Sequence, residues 1–524
     1  MVQWNGAPLP TRYGDSTGLN ATVSSTLVAV AGSATISVTD ASLGLTSNSL
    51  PFGIASPAAA TAGVVGLVTI APDGSPANDD TMTAPSISTT GRFIAFQSAA
   101  TNLLTGPASG YQEIYERDTC IGAPDGCAPN TIHISVTYDG SPVNGNSQYS
   151  ALSADGRYVA FTSSATNILP STSTCATPSA CVFLRDTWSN VASTCTPGTT
   201  QFPSGGLFQM TPDGRYLAVS GGTADLPGGP YPAAEVALWD TCYGAPSGCI
   251  PDALLISQST GGDPANENPT SASVNPTGRY IAFGDWASNL GQQNLNGNPG
   301  VFLRDDCIGA PQPCSPNTLK VDDAPDGTVA DAASAEGGTP AISADGRFIA
   351  FDSAAMNLVS PNLSACAGGG NPPQSCGYIF LRDTCIGVPS GCSPATSLAS
   401  LTNDGLLPNA GSGDQESISS DGRFIAFASL ANNIVPGDTF PVNGWKDIFV
   451  HDTCFGAPAG CSPSTVRVSV TNNPSFATES NEINDYPRIS GDGHYIVLIS
   501  SSTNLVPGVT GNGHTMVFLA KTGL

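Results

Sequence analysis

The stretch Ala341–Phe351, AISADGRFIAF, occurs seven times along this chain of 524 residues, each time with small changes. In each copy a short apolar segment leads into a glycine turn, and an alternating strand follows the turn. A turn of this kind needs a positive φ angle, which glycine adopts without steric cost. Repeats at intervals of 58 to 76 residues indicate an array of structural units. The copies begin at Ser86, Ala151, Gln209, Ser273, Ala341, Ser417 and Arg488.

A second repeated phrase contains two cysteines separated by six residues, as in RDTCIGAPDGCAPN from Arg117. The residues between the cysteines favour a tight reversal, which can bring two Cα atoms within disulfide distance. We therefore predict five disulfides in these phrases and two more in long loops ahead of a strand. The predicted partners are Cys120 and Cys127, Cys175 and Cys181, Cys242 and Cys249, Cys307 and Cys314, Cys366 and Cys376, Cys385 and Cys392, and Cys454 and Cys461.

Zinc binding is the alternative use of these cysteines. Structural zinc sites favour closer cysteines with histidine partners, whereas the four histidines of this chain are scattered. Cys195 is left over, because Trp188 stands where the first cysteine of its phrase would be. Seven disulfides indicate an oxidising compartment. We expect a secreted, periplasmic or cell-surface protein whose signal sequence is missing ahead of Met1.

The two phrases together define a unit of four strands. The first phrase supplies two strands, a segment such as VFLRD from Val301 supplies the third, and a segment such as TLKVDD from Thr318 supplies the fourth. Seven units of this kind predict an all-β, seven-bladed β-propeller. The last unit lacks a fourth strand, and GVVGLVTIAPDG from Gly63 has the pattern of one. We therefore predict that this N-terminal strand closes the ring.

The phrases SADGRYVAF, ISADGRFIAF and DIFVHD resemble the TolB-like (WD-repeat-like) propeller repeats of bacterial proteins, over residues 63–524. The resemblance implies the propeller fold. It implies no single activity, because such blades occur in scaffold components, in propeller domains of peptidases and in lyase-like enzymes.

The first residues of the chain have a different pattern. Residues 1–56 contain alternating segments and none of the propeller phrases. They resemble the carboxy-terminal part of an IPT/TIG-type immunoglobulin-like domain, which implies a partial β-sandwich. We interpret residues 57–62 as a linker and residues 63–524 as the propeller.

The charge of the chain narrows its partners. A net charge of −25 disfavours nucleic acid, and the absence of an apolar run of about 20 residues disfavours membrane insertion. Most arginines belong to the repeated phrases, so we expect no basic patch for an anionic ligand. The remaining partners are a protein or a surface glycan, and we expect a monomer.

No catalytic motif stands out in the sequence. The chain lacks G-x-S-x-G, which excludes a peptidase of the α/β-hydrolase type. Most aspartates recur in the phrases and are interpreted as structural, whereas Asp285 and Asp352 do not recur and would be the candidate acids of an enzyme. The histidines occupy framework positions; they are His133, His451, His494 and His514.

One segment has the spacing of a cation site. Asp438, Asn443 and Asp447 suit the oxygen ligands of Ca²⁺, and turn capping explains the same residues. We predict no other metal site and no cofactor.

The sequence therefore predicts a non-catalytic binding or scaffold protein, whose disulfide-stapled propeller contacts a protein or a glycan. We expect specificity in the variable loops Pro170–Ala180 and Ser360–Gly377. The alternative is a carbohydrate-active enzyme, either a glycosidase or a lyase, with acids at the propeller mouth. A purely structural surface module is the third interpretation.

Overall fold

The computed structural model contains β-strands and no helix in its described residues, and so no helix that could cross a membrane. The chain divides into two compact units, Met1–Thr61 with Gly523–Leu524, and Ala62–Thr522. The structure describes all residues except 1, 5–6, 10, 16–17, 22–31, 41–44, 48–49, 55–61, 107–108, 171–180, 188–197, 203–205, 207, 222–228, 230, 232, 246–247, 292–296, 337, 361, 364–376, 389, 437, 439–444, 472–479, 507–508 and 510–512.

The first unit is a small group of antiparallel strands. They are β1 (Val2–Trp4), β2 (Ala7–Pro8), β3 (Thr11–Asp15), β4 (Gly18–Ala21), β5 (Gly32–Asp40), β6 (Leu45–Thr46) and β7 (Leu50–Ile54). Strand β5 pairs with β1, β6 and β7, while β1 also pairs with β2. Strands β3 and β4 form a separate hairpin. The immunoglobulin-like assignment of this unit stays a prediction.

The second unit contains seven four-stranded antiparallel sheets within its described residues. Its strands are β8 (Gly63–Leu67), β9 (Ser86–Ile87), β10 (Phe93–Ser98), β11 (Glu113–Asp118), β12 (Asn130–His133), β13 (Ser147–Leu152), β14 (Tyr158–Ser163), β15 (Cys181–Asp186), β16 (Gly198–Phe202), β17 (Phe208–Met210), β18 (Tyr216–Ser220), β19 (Val236–Asp240), β20 (Asp252–Leu255), β21 (Pro269–Val274), β22 (Tyr280–Asp285), β23 (Gly300–Asp305), β24 (Asn317–Lys320), β25 (Ala341–Ile342), β26 (Phe348–Ser353), β27 (Tyr378–Asp383), β28 (Ala395–Leu398), β29 (Ser412–Ile418), β30 (Phe424–Ser429), β31 (Asp447–Asp452), β32 (Ser464–Arg467), β33 (Asn484–Ile489), β34 (Tyr495–Ser500) and β35 (Met516–Lys521).

These sheets form a closed ring. Each sheet takes four consecutive strands, except the last, in which β8 joins β33, β34 and β35. The first strands contact one another in a cycle that runs β9, β13, β17, β21, β25, β29, β33 and back to β9. Four-stranded sheets that surround an axis through their first strands form a β-propeller. We number the sheets one to seven by their first strands.

The seam of the ring joins residues from the two ends of this unit. Leu67 of β8 lies opposite Phe518 of β35, and the ladder continues to Gly63 opposite Lys521. Beyond the ladder, the backbone N–H of Thr515 donates to Oδ1 of Asp80 at 2.7 Å. The N-terminal strand therefore completes the last sheet, as its sequence pattern predicted.

The glycine turns lock neighbouring sheets together. A Cβ atom on Gly346 of sheet five would lie 2.4 Å from Cδ2 of Tyr280 in sheet four, so this position has no room for a side chain. The turn glycine of each sheet therefore packs on the aromatic residue that begins the second strand of the preceding sheet. The other contacts join Gly156 to Phe93, Gly214 to Tyr158, Gly278 to Tyr216, Gly422 to Phe348, Gly493 to Phe424 and Gly91 to Tyr495.

An arginine–aspartate pair ties the glycine turn to the cysteine turn. In sheet five, Nε and Nη2 of Arg347 donate to Oδ1 and Oδ2 of Asp383 at 2.8 and 2.6 Å. The backbone N–H of Cys385 donates to the same Oδ1 at 2.9 Å. Partly exposed ion pairs contribute at most about 1 kcal/mol each, so the main effect is geometric. The equivalent pairs are Arg92–Asp118, Arg157–Asp186, Arg215–Asp240, Arg279–Asp305 and Arg423–Asp452.

Five disulfides staple the turns between third and fourth strands. They are Cys120–Cys127, Cys242–Cys249, Cys307–Cys314, Cys385–Cys392 and Cys454–Cys461. Cys181 is also disulfide-bonded, and its predicted partner Cys175 lies outside the described residues. The predicted pair Cys366–Cys376 and the leftover Cys195 lie outside them as well.

The strand order gives the ring two different faces. Because the strands are antiparallel, the glycine turns and cysteine turns lie at the same ends of the sheets, and we call this side the turn face. The connections between second and third strands, and between one sheet and the next, lie on the opposite side, which we call the loop face. Between the sheets lie apolar layers; in sheet five, for example, the rings of Phe351 and Phe380 stack 5.8 Å apart.

Candidate functional site: the central cavity

A cavity of about 400 Å³ lies at the axis of the ring, among the first strands of the sheets. Its walls mix polar residues with apolar ones such as Phe208 and Ile342. Met82 and Tyr149 line the cavity and are also exposed on the loop face, so the cavity reaches that face. Concave sites of this size with a few polar groups are typical of ligand pockets.

Three of the first strands are bulged where they meet the cavity. The register shifts in β13, β29 and β33, and at each shift a residue other than glycine has a positive φ. These residues are Tyr149 (47°), Gln415 (72°) and Tyr486 (54°), and all three line the cavity. Such strained positions are costly and cluster at functional sites, where a bulge redirects a side chain.

Arg488 brings a positive charge to the cavity wall. Its Nη1 donates to the backbone oxygens of Gln415 and Pro487 at 2.9 and 3.3 Å, and its Nη2 donates to Oε1 of Gln415 at 2.9 Å. Desolvation lowers the pKa of Arg488, but a guanidinium stays protonated in proteins. The guanidinium of Arg488 is therefore a positive charge at the cavity wall, and all of its hydrogen-bond acceptors are uncharged oxygens.

The carboxyl groups of Asp352 in sheet five and Glu416 in sheet six lie close together, and Glu416 lines the cavity. A Cβ atom on Gly338 would lie 2.4 Å from Oδ1 of Asp352 and 3.2 Å from Oε2 of Glu416. Glu416 is 2% exposed, and neither of its carboxyl oxygens has a hydrogen-bond partner of good geometry among the described residues. Burial, together with the charge of Asp352, raises the pKa of Glu416 well above its ordinary value. The proximity of the two carboxyl groups therefore disfavours the state in which both are ionised.

A second acid pair lies away from the cavity lining. Asp285 ends β22, is fully buried, and accepts a hydrogen bond from the N–H of Ala287 at 2.7 Å. Burial raises the pKa of Asp285 to about 7, and the charges of Glu235 and Glu267 act in the same direction. Burial also raises the pKa of Glu235 to about 7, although the hydroxyl of Ser257 donates to it.

The two candidate acids from the sequence thus belong to different pairs. Asp352 faces Glu416, and Asp285 interacts with Glu235. Both glutamates were missed, because each lies one residue ahead of a repeated phrase and not within it. Groups with raised pKa values can act as general acids, and structural burial produces the same shift.

The segment with calcium-like spacing holds an arginine between its acids. Nη1 of Arg467 lies 3.3 Å from Oδ2 of Asp438 and 3.3 Å from Oδ2 of Asp447. Asn443 lies outside the described residues. The guanidinium supplies the positive charge that the carboxylates need, so this geometry does not favour Ca²⁺ there.

His133, His451, His514 and the repeated aspartates have structural partners. His451 is buried against the hydroxyl of Thr465 at 3.0 Å, and burial lowers its pKa to about 4. Nε2 of His133 lies 3.5 Å from Oε1 of Glu113. The acidic groups with cysteine neighbours, such as Asp383 with Cys385, involve disulfide sulfurs, which do not bind metals as thiolates.

Arg488 was not singled out from the sequence. We expected no basic patch for an anionic ligand, because most arginines belong to the repeated phrases, and this expectation stays a prediction. Arg488 opens its copy of the first phrase, where the other copies have serine, alanine or glutamine. An alignment of the seven copies could have identified it, since a long cationic side chain replaces small residues at a position that faces the axis.

The loops in which we expected specificity lie almost entirely outside the described residues, since residues 171–180 and 364–376 belong to Pro170–Ala180 and Ser360–Gly377. Their role stays a prediction.

No family model and no curated protein matches this chain. Among solved structures, the β-propeller domain of the Trilobed protease from Pyrococcus furiosus is similar at 11% identity and a TM-score of 0.43, covering 85% of this chain and 94% of that chain. A structure of prolyl endopeptidases matches at 12% identity and 0.40, covering 84% and 50%. TolB from Acinetobacter baumannii matches at 11% and 0.28, covering 93% and 76%. At such low similarity no activity transfers to this chain.

Proposed function

We propose that this protein is a secreted, seven-bladed β-propeller closed by its N-terminal strand, whose loop face binds a protein partner around the central cavity without chemical change. The disulfides on the turn face support an oxidising compartment and a rigid frame. The loop face lies opposite these cysteine turns and carries the opening of the cavity.

The position of the exposed aromatic residues carries this proposal. Five tyrosine or tryptophan side chains of the described residues are markedly exposed, and all five lie on the loop face, before, after or within strands that end there. They are Tyr111, Tyr138, Tyr149, Trp286 and Trp445. Exposed apolar groups that collect on one face mark interaction sites.

The residue types favour a protein over a glycan. Tyrosine, tryptophan and arginine dominate the energetically important positions of protein interfaces, where they fill desolvated pockets. The loop face supplies the aromatic residues, and the cavity within it supplies Arg488. A net charge of −25 favours a partner that is neutral or cationic overall.

Peptides selected on the immobilised protein from a random peptide display library would test this proposal. The triple variant Tyr111→Ala/Trp286→Ala/Trp445→Ala should lose binding of the selected peptides without a change in melting temperature. The control is Ile250→Ala, because Ile250 is an exposed apolar residue beside a disulfide on the turn face. If the triple variant still binds the peptides and Ile250→Ala does not, the interface lies on the turn face and the proposal is contradicted.

Catalysis on a carbohydrate is the second candidate, and the convergence of Asp352 with Glu416 favours it. Two neighbouring carboxyl groups, one of which has a raised pKa, suit a general acid and its partner in glycoside hydrolysis. New reducing ends, measured with a panel of polysaccharides, would support it if Asp352→Asn abolished their formation. The same panel with no product supports the binding function.

A further inference from the structure

The guanidinium of Arg488 uses only one of its two hydrogen-bonding edges within the protein. Gln415 occupies the outer edge, with its backbone oxygen on Nη1 and its side-chain oxygen on Nη2, and Pro487 takes the other hydrogen of Nη1. Among the described residues, nothing accepts a hydrogen bond from Nε of Arg488, and no carboxylate forms an ion pair with it. The side edge, formed by Nε and Nη2, is therefore free.

Six other arginines of this protein bind an aspartate carboxylate through the same side edge. In each framework pair, Nε donates to one aspartate oxygen and Nη2 donates to the other, as in Arg423 with Asp452 at 2.8 and 2.7 Å. A carboxylate fits this fork with two parallel, charge-assisted hydrogen bonds. Arg488 presents this fork with no aspartate on it, at the wall of a cavity that reaches the loop face.

We infer that the free edge of Arg488 binds the terminal carboxylate of a polypeptide partner, whose last residue enters the central cavity. This inference rests on the proposed function and adds the chemical group that is recognised. Gln415 holds the guanidinium in place, and its strained backbone, with a φ of 72°, aims its carbonyl oxygen at Nη1.

The charge of the site agrees with a single carboxylate. Glu416 lies near Arg488 but forms no ion pair with it, and burial, together with the charge of Asp352, raises the pKa of Glu416 and so disfavours its ionised form. The rest of the protein is strongly acidic. A polymer with many carboxylates would be repelled, whereas a neutral chain with one carboxylate at its end would not.

The walls of the cavity suit the side chain of an apolar last residue. Phe208, Met210, Ile342 and Ile489 line the cavity beside the polar groups. Gln209 occupies the same repeat position as Arg488 in sheet three and also lines the cavity, so its amide is available to the backbone of the peptide. A volume of about 400 Å³ is enough for a terminal residue of ordinary size.

Isothermal titration of an N-acetylated, otherwise uncharged hexapeptide that ends in leucine would test the inference. The free acid should bind, and the C-terminal amide should bind at least about tenfold more weakly, because the amide has lost the negative charge and one of the two acceptor oxygens. Equal affinity of the acid and the amide, or no binding of either, would overturn the inference. This comparison needs no variant and therefore does not depend on folding of a mutant.

Two variants add specificity to the test. Arg488→Lys keeps the charge and loses the fork, so it should weaken the acid at least about tenfold and leave the amide unchanged. The variant Arg488→Met should bind the acid and the amide with equal affinity. Melting temperatures close to that of the wild type establish that both variants are folded, and a loss of acid and amide binding to the same extent would contradict the proposed contact.

The source of the carboxylate is distinguished with N-acetylleucine. If this small acid binds as tightly as the hexapeptide, the cavity recognises a small carboxylate and the polypeptide assignment is wrong.

The loop-face triple variant separates this inference from the proposed function. If the triple variant binds the acid with unchanged affinity and still binds the amide more weakly, the carboxylate site is supported and the role of the aromatic residues in binding is contradicted. If the triple variant loses binding while the acid and the amide bind the wild type equally, the aromatic face is supported and the carboxylate site is contradicted.

Discussion

The glycine turn of the first sheet closes directly onto the last sheet, because a Cβ atom on Gly91 would lie 2.8 Å from the ring of Tyr495. Gly91 also has a φ of 79°, in the left-handed region. This contact lies at the seam of the ring, where the backbone N–H of Asp492 in sheet seven also donates to the oxygen of Thr89 in sheet one at 2.9 Å. The seam is therefore held by backbone packing as well as by strand pairing.

Gly91→Ala is expected to lower the stability of the ring by more than its backbone strain alone. A left-handed φ costs an alanine on the order of 1 kcal/mol, and the overlap with Tyr495 adds about 1–3 kcal/mol. Gly74→Ala is the matched control, because Gly74 has a φ of 87° and no atom within 4 Å of the added Cβ. Urea denaturation of both variants gives the difference, and equal losses would show that the contact with Tyr495 contributes nothing.

Removal of β8 should weaken the last sheet. Val64 and Val68 are buried, and β8 is the fourth strand of sheet seven. A chain that begins at Pro72 should lose about 3 kcal/mol or more relative to one that begins at Ala62, since each buried valine contributes about 1.5–3 kcal/mol. Circular dichroism melts of the two truncated chains measure this loss, and coincident melts would contradict the role of β8 in closure.

Each cysteine turn should contribute to stability through its disulfide. Cys385→Ser/Cys392→Ser removes one closed loop, and the chain-entropy model gives a loss of about 2.5 kcal/mol. The ion pair between Arg347 and Asp383 remains in this variant. Denaturation with and without a reducing agent provides the control: reduction should lower the stability of the wild type by more than that of the variant, because one fewer disulfide is left to break.

The buried acid Asp285 should make stability depend on pH. Its pKa is about 7 in the folded protein and near 3.8 when it is exposed. Between these values the folded state holds a proton that the unfolded state has lost, so the stability contribution falls as the pH rises from about 4 to 7. Asp285→Asn removes this dependence and keeps an oxygen for the N–H of Ala287.

We expect Asp285→Asn to gain on the order of 3 kcal/mol of stability relative to the wild type between pH 4 and pH 8. Asp125→Asn is the control, because it makes the same change of charge at an exposed aspartate. Chemical denaturation of all three proteins at both pH values tests the expectation. A constant difference between Asp285→Asn and the wild type would mean that Asp285 is ionised in the folded state across this range.

The sequence by itself determined the features that depend on neighbouring residues. The glycine turns, the cysteine turns and the alternating strands all follow from segments of a dozen residues, and repetition made them visible. The pairing of β8 with β35 was also predictable, since the last repeat lacked a fourth strand and β8 belonged to no repeat. These elements need only local turn chemistry and the pairing of adjacent strands.

Only the tertiary structure decided the contents of the cavity. Arg488 meets Gln415, which is 73 residues away on another sheet, and Asp352 meets Glu416 through the space above Gly338. The repeated phrases do not contain this information, because the cavity is formed where seven first strands converge around an axis. Side chains that look equivalent along the chain there acquire different neighbours, and the bulges at Tyr149, Gln415 and Tyr486 break the symmetry of the repeat. The charge and hydrogen bonds of the site therefore depend on distant residues.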